Sequence, residues 1–263
     1  MIRKVKLSFV MPAYNEEYLI ENALGMIDKV VEDEGLRYEI VVVDDGSTDE
    51  TLAKAVKYAS RNGHVQVISY PKNVGKGYAV RAGFMHATGD AVVFVDSDLE
   101  IDLELISDYV RALEYGDIAI GSKWHPDSLV DMPLFRRILS HSFNVLIRIF
   151  TGANLKDTQV GLKAMKRSAF AKILPRLSVK RYAFDVELLT VANLYGLKII
   201  DMPTRLRIKE AFDLKEMLRM FVDLLGIAYR LRVNHWYQQP IGFSSPLVFK
   251  MSPKTLPLIK AHG

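Results

Sequence analysis

Two periodicities alternate along this chain and limit what it can fold into. Short, nearly continuous apolar runs give way to longer stretches whose apolar residues recur at helical spacing. Residues 38–44, YEIVVVD, and 90–96, DAVVFVD, are runs of the first kind. They leave no polar face, so both sides of each strand must be covered. Residues 6–12, 64–70 and 117–122 read as further strands. Between them, 16–34 carries Leu19, Ile20, Ala23, Leu24, Ile27, Val30 and Val31 at helical spacing, and 49–60, 75–87 and 102–114 also read as helices. Alternation of this kind calls for right-handed crossovers and an α/β fold with a mostly parallel central sheet flanked by helices.

In such a sheet the carboxyl ends of the parallel strands share one edge, where ligands bind. Asn15 and Glu16 follow the first strand, Asp44 and Asp45 end the second, and Lys76 follows the third. Asp96, Asp98 and Glu100 come at alternate positions after the fourth. Acids this close repel unless a cation or hydrogen-bond donors offset them. The chain has no cysteine, so a metal would need oxygen or histidine ligands. That favours Mg²⁺ or Mn²⁺ on a diphosphate. The plainer reading is an acidic loop capping 102–114, a role that suits Asp102 better than Asp96. DDGSTD (44–49) supports two readings at once: Gly46 turns the chain and Ser47 or Thr48 caps a helix, while Asp44 or Asp45 faces a ligand. NVGKG (73–77) offers Lys76 and backbone donors to an anion, without P-loop spacing.

The second half is built differently. Basic pairs stand at 136–137, 166–167 and 180–181, which points to an anionic ligand or surface, although the net charge is only +4. Residues 133–150 make a two-faced helix. Phe135, Ile138, Leu139, Ser142, Leu146 and Ile149 fall on one side, and Arg137, His141, Asn144 and Arg148 on the other. Residues 157–167 read as a turn and strand, 182–195 as a helix and 196–203 as a strand. A second amphipathic helix spans 214–232, and four prolines from Pro240 onward mark an extended tail. The expected organisation is one domain, 1–235, with a tail, 236–263. No uncharged apolar run reaches about 18 residues, and the N-terminus reads as a strand and not a signal peptide. The default location is cytoplasmic, and no nucleic-acid partner is expected.

Taken together, VMPAYNEE (10–17), VVDDGSTDET (42–51), NVGKG with Arg81 and Gly83 behind it, and TGDAVVFVDSDLE (88–100) resemble glycosyltransferase family 2, inverting enzymes of the GT-A fold. The resemblance spans about 6–235. In the second half, IAIGSK, RRILSHSFNVL, DTQVGLKAMKR and RYAFDVELL resemble the polyprenyl-phosphate sugar synthases, and the last two favour the dolichyl-phosphate glucose branch.

The resemblance implies a nucleotide-sugar donor held by Pro12, Ala13, Tyr14, Asn15, Glu16, Asp44, Asp45, Lys76, Asp96 and Ser97. It implies a metal at Asp98 with Asp96 and Glu100, and a lipid-phosphate acceptor met by Lys123, Arg137, His141 and Arg148. Asp98, Asp185 and Arg137 become the catalytic candidates. A phosphate is already an anion, so it needs positioning more than a general base. Asp185 would then order the acceptor loop or bind sugar hydroxyls. Glu187 is either a base or a buried acid tied to Lys163 or Arg181. Arg137 and Arg148 equally fit a solvated helix face, and His141 an exposed one. Trp124, Trp236 and the methionines of 214–220 read as packing or membrane-edge residues.

The leading expectation is glucose transfer from UDP-glucose to dolichyl or another polyprenyl phosphate, at the cytoplasmic face of a membrane where the two amphipathic helices dock peripherally. GDP-mannose as donor, a glycan hydroxyl as acceptor, and a non-catalytic nucleotide-sugar module are the alternatives. The 214–232 helix could equally form a homodimer interface.

Overall fold

The structure, a computed structural model, describes residues 6–98, 102–153, 155–181, 183–207, 214–239 and 258–259. The first half runs β1 (Lys6–Ala13), α1 (Ile20–Asp33), β2 (Arg37–Asp44), α2 (Thr51–Ala59), β3 (Val65–Ser69), α3 (Lys76–His86), β4 (Ala91–Phe94), α4 (Ile106–Ala112) and β5 (Ile118–Gly121). The second half adds β6 (Leu129–Asp131), α5 (Leu134–Thr151), β7 (Lys163–Lys166), α6 (Arg167–Ile173), α7 (Phe184–Leu194), β8 (Ile199–Met202), β9 (Arg205–Arg207), α8 (Leu214–Arg232) and β10 (Leu258–Ile259).

The main sheet has the order β10-β3-β2-β1-β4-β7-β5-β8, and β6 pairs with β9 in a small second sheet. β3, β2, β1 and β4 are mutually parallel, as are β5 and β8. β7 lies antiparallel between β4 and β5, and β10 antiparallel on β3. Ile40, Val41, Val42 and Val43 of β2 are fully buried, as an unbroken β-branched run requires. Neighbouring strand residues feed opposite cores. Phe9, Val42 and Val93 pack with α1 and α4, whereas Val10, Val92 and Phe94 pack with Phe84, Phe170 and Leu188. The sheet reverses its direction of build at β1 and β4, and that switch point is where a cleft opens.

Helix starts differ from expectation for local reasons. α1 begins at Ile20, because Glu16 C=O accepts the N–H groups of both Leu19 and Ile20 in a preceding turn. α2 is not capped by Ser47 or Thr48; Asp49 accepts from Thr51 N–H at 3.0 Å, and Ser47 bonds elsewhere. Asp102 takes the expected capping role, accepting from Glu104 N–H at 2.9 Å, but heads a 3₁₀ turn ahead of α4.

α5 departs most. It buries Phe143, Asn144, Ile147 and Thr151, a stripe between the two expected faces. Phe135, Ile138 and Ile149 of the apolar face are exposed, together with Leu134 and Val145. Folded structure also continues past 235: Tyr237 is fully buried, and β10 adds a strand. No described helix is long and apolar enough to cross a membrane.

Candidate active site

A cavity of about 620 Å³ opens at the switch point. Its first wall is made by Pro12, Ala13, Tyr14, Glu16, Asp45, Asn73, Gly75, Lys76, Asp96, Ser97 and Asp98. Many of the polar side chains in these motifs hold the backbone in place. Asn15 sits at φ 57°, a left-handed conformation that asparagine tolerates. Its N–H donates to Ser47 Oγ at 3.0 Å, and its Oδ1 accepts from Thr48 N–H at 2.9 Å. Asp44 is buried and accepts from Ser69 Oγ at 2.7 Å and Ser47 N–H at 3.2 Å. Neither Asn15 nor Asp44 lines the cavity. Asp45 does, and it accepts the N–H groups of Val74 and Gly75 at 2.8 Å each, pinning the NVGKG loop. Gly75, at φ 115°, passes so close to Lys180 C=O that a Cβ would collide. Ser97 Oγ donates to Pro12 C=O at 3.2 Å and staples the β4 loop to β1.

The acids of the 96–98 stretch are offset mainly by lysine. Lys76 Nζ lies 2.7 Å from Asp96 Oδ1 and 3.6 Å from Asp185 Oδ2. Lys163 Nζ lies 3.0 Å from Asp185 Oδ1. Burial works to raise the Asp185 carboxyl, but Lys163 and Lys76 hold it below the ordinary carboxylate value. Burial likewise opposes the charge on Lys76, yet Asp96 and Asp185 carry it above its ordinary value.

The second wall brings Lys123, Met132, Arg136, Leu139, Phe143, Gln159, Gly161, Arg181, Asp185, Met217, Arg219 and Met220 to the same cavity. Lys123 was expected there and is held by buried Asp157, which accepts from both its N–H and its Nζ. Arg137, His141 and Arg148 do not line the cavity. Arg137 and His141 both engage Trp124, at 5.8 Å and 5.3 Å between their groups and its ring, and Arg148 Nε donates to Leu155 C=O at 2.8 Å. The inward α5 cation is Arg136, one residue earlier. Arg181 belongs to a basic pair visible in the sequence; Arg219, Met217 and Met220 had no signal separating them from packing residues.

Glu187 is tied to neither Lys163 nor Arg181. Fully buried, it accepts from Ser178 N–H and Val179 N–H at 2.7 Å each and from Tyr237 Oη at 2.6 Å. It anchors the segment leading to Arg181 and the end of α8, and has no part in the cavity lining.

The pattern that defines Glycosyl transferase family 2 matches residues 8–174. The chain belongs to that family. A dolichyl-phosphate beta-glucosyltransferase of Trichomonas vaginalis is 34% identical over 248 residues, covering 89% of this chain and 76% of the relative. The Homo sapiens dolichyl-phosphate beta-glucosyltransferase is 33% identical over 250 residues, covering 88% and 77%. Glucosyl-3-phosphoglycerate synthase from Mycobacterium tuberculosis, solved with Mn²⁺ and UDP-glucose, superposes with a TM-score of 0.63 at 22% identity, over 86% of this chain and 78% of that one. That likeness bears on fold, and the GT-A arrangement expected from the motifs is the one the chain adopts. This family 2 protein is a glycosyltransferase.

Among the described residues no group of three acids or histidines forms a metal cage. Asp96 faces Lys76, and Glu100 lies outside the described residues. Asp98 is exposed on the cavity wall. One carboxylate beside room for a diphosphate fits a Mg²⁺ or Mn²⁺ ion bound chiefly by substrate oxygens.

Proposed function

We propose that this family 2 enzyme transfers glucose from UDP-glucose, with inversion, to dolichyl or another polyprenyl phosphate. The observation that carries the reading is the second wall: Lys123, Arg136, Arg181 and Arg219 face the cavity, while its deep carboxylate, Asp185, is clamped by two lysines. A carboxylate stabilised as its anion is a weak base, so it is poorly suited to deprotonate an alcohol. A phosphate acceptor needs no such step. The names of the curated relatives agree with that acceptor.

In this scheme Pro12, Ala13, Tyr14 and Glu16 hold the nucleoside end, on a loop shaped by Asn15, Asp44 and Asp45. Asp98 would hold the divalent ion, which supplies charge neutralisation for the departing diphosphate. Arg136 and Arg181, with Lys123 fixed by Asp157, gather the acceptor phosphate, arginine forks matching its oxygens. A phosphate oxygen attacks the anomeric carbon from the face opposite the diphosphate. The C–O bond to the diphosphate breaks, its electron pair leaves with UDP, and no proton is transferred.

The lipid must reach this wall from a bilayer. Leu134, Phe135, Ile138 and Ile149 of α5, and Leu218, Val222, Tyr229 and Val233 at and beyond α8, present exposed apolar side chains. Arg137, Arg148, Arg219 and Arg232 lie among them in sequence, a composition suited to peripheral docking on an anionic cytoplasmic leaflet. Labelled UDP-glucose and GDP-mannose, each offered with dolichyl phosphate and Mn²⁺, test the assignment. Label from UDP-glucose should enter the lipid phase. A lipid product from GDP-mannose alone overturns the sugar, and transfer to a glycan hydroxyl without lipid phosphate overturns the acceptor.

A further inference from the structure

We propose that Trp124 is a positioning residue: its ring fixes the rotation of the first half of α5 and so aims Arg136 into the cavity beside Lys123. The inference rests on the acceptor-phosphate reading of the second wall and names what orients its helix.

The beginning of α5 has no buried side chain to set its rotation. Residues 134–142 are all exposed or half-buried, and the helix first buries a side chain at Phe143. Yet rotation matters most there. Arg136, Leu139, Ser140 and Phe143 line the cavity, at the spacing of one helix face. A turn of roughly 100° about the helix axis would carry Arg136 away and bring a neighbour into its place.

Trp124 supplies a hold from the flank. Arg137 and His141 stand one helical turn apart, beside the cavity-lining face, and both meet the same ring. The Arg137 guanidinium carbon lies 5.8 Å from the ring centre, and the His141 ring meets it edge-on, at 5.3 Å and 78°. The indole itself grows from a braced segment. Ser122, fully buried after β5, donates its N–H to Met202 C=O at 3.0 Å, and its Oγ accepts from Trp124 N–H at 3.3 Å. Lys123, between them, is held by Asp157. Lys123 and the bracket for Arg136 are thus consecutive residues of one segment. Trp124 does not line the cavity, and its Nε1 is buried with no hydrogen-bond partner among the described residues. What the indole contributes is its face and edge, and not its N–H.

Two measurements on Trp124→Ala, Trp124→Phe and Arg136→Ala test this: KM for each substrate in glucosyl transfer to dolichyl phosphate, and amide hydrogen exchange over 134–142 in the ligand-free protein. Trp124→Ala should raise KM for the lipid phosphate about fivefold, leave KM for UDP-glucose within about twofold, and speed exchange at the start of α5 about tenfold. Trp124→Phe keeps an aromatic face and should stay within about twofold of wild type in all three. In an Arg136→Ala background, losing Trp124 should add less than about twofold, since the two act through one contact with the ligand. Equal losses in Trp124→Phe and Trp124→Ala would assign the role to the indole N–H and overturn the proposal. Independent, multiplying effects of Trp124 and Arg136 overturn it too, as does faster exchange with no change in KM. If Trp124→Ala fails to fold, the double variant Arg137→Ala/His141→Ala removes the same contacts from exposed positions and should behave as Trp124→Ala does; either single change leaves one contact in place. Wild type that transfers to no lipid phosphate defeats the acceptor reading alone. The exchange comparison then decides the bracket, and unchanged exchange in Trp124→Ala sinks it.

Discussion

The two walls of the cavity are made from the same kinds of polar side chain put to different uses. On the wall at the ends of β1, β2 and β4, Asn15, Asp44, Asp45 and Ser97 direct their hydrogen bonds into neighbouring loops and hold backbone in place. On the wall formed by α5, α8 and the 157–161 turn, cations face inward and their supports stand behind them, as Asp157 stands behind Lys123. The first wall's shape resides in its main chain. The second depends on which way a few long side chains point from helices. A motif can therefore be both scaffold and site on one wall, whereas on the other a shift of one residue decides whether a cation meets the ligand.

Removing the hidden support of the second wall should have the largest effect. Glu187→Ala leaves Ser178, Val179 and Tyr237 with buried donors and no acceptor, and should lower unfolding free energy by about 4 kcal/mol in urea titrations. A loss below about 1 kcal/mol would show that the wall does not depend on it. On the first wall, Asp98→Ala should reduce turnover about a hundredfold, with little change in urea midpoint, because the residue is exposed. If turnover persists, the diphosphate ion is held by other groups. The one-residue distinction on α5 is sharper though smaller. Arg136→Ala should raise KM for lipid phosphate about tenfold, and Arg137→Ala, whose guanidinium lies over Trp124, less than twofold. Equal effects would erase the difference between inward and outward arginines.

The smallest expected effect is on pH dependence. Asp185 has its folded value depressed, so its contribution to stability is present above the unfolded value near about 3.9 and fades as pH falls through the lower folded value. Lys76 has its folded value raised, so its contribution is complete below about 10.4 and fades as pH rises through the folded value. In thermal melts of the ligand-free protein the contribution of these two groups should therefore be constant between those limits and fade outside them. Asp185→Asn should flatten its acid shoulder, and an unaltered shoulder would mean that the clamp contributes little.

What could be read in advance follows the same division. The runs at 38–44 and 90–96 announce buried strands because no other environment accepts three or four consecutive β-branched and aromatic residues. The edge at which Asp45, Lys76 and Asp98 converge follows from strand parallelism alone. That Asn15 turns away from the cavity does not follow, because a loop residue carries no period to indicate facing, and Asp44 at the end of β2 is engaged by Ser69 of the neighbouring strand, a partner that no motif announces. On α5 the stripe nearest in hydrophobicity to a core face, with Phe135 and Ile138, is exposed, and Asn144, which falls on the polar side, is buried. Helical periodicity gives relative angles between side chains, but the absolute rotation is set by what the helix packs against. Lys163 and Asp185 are 22 positions apart in sequence, and only the placement of β7 brings them within 3.0 Å.

β7 also determines how the molecule can be taken apart. Met165 and Ala164 lie between β4 and β5 and pair with both, so residues from beyond 160 close a gap in the middle of a sheet begun by the first 94. A fragment ending at 160 would leave Val92–Phe94 and Ile118–Ile120 as two facing open ladders, an invitation to aggregation. Anyone grafting a new acceptor preference from a relative would have to exchange the 123–160 excursion as a cassette between fixed strands and change Arg181 and Arg219 separately, because those two cations come after β7.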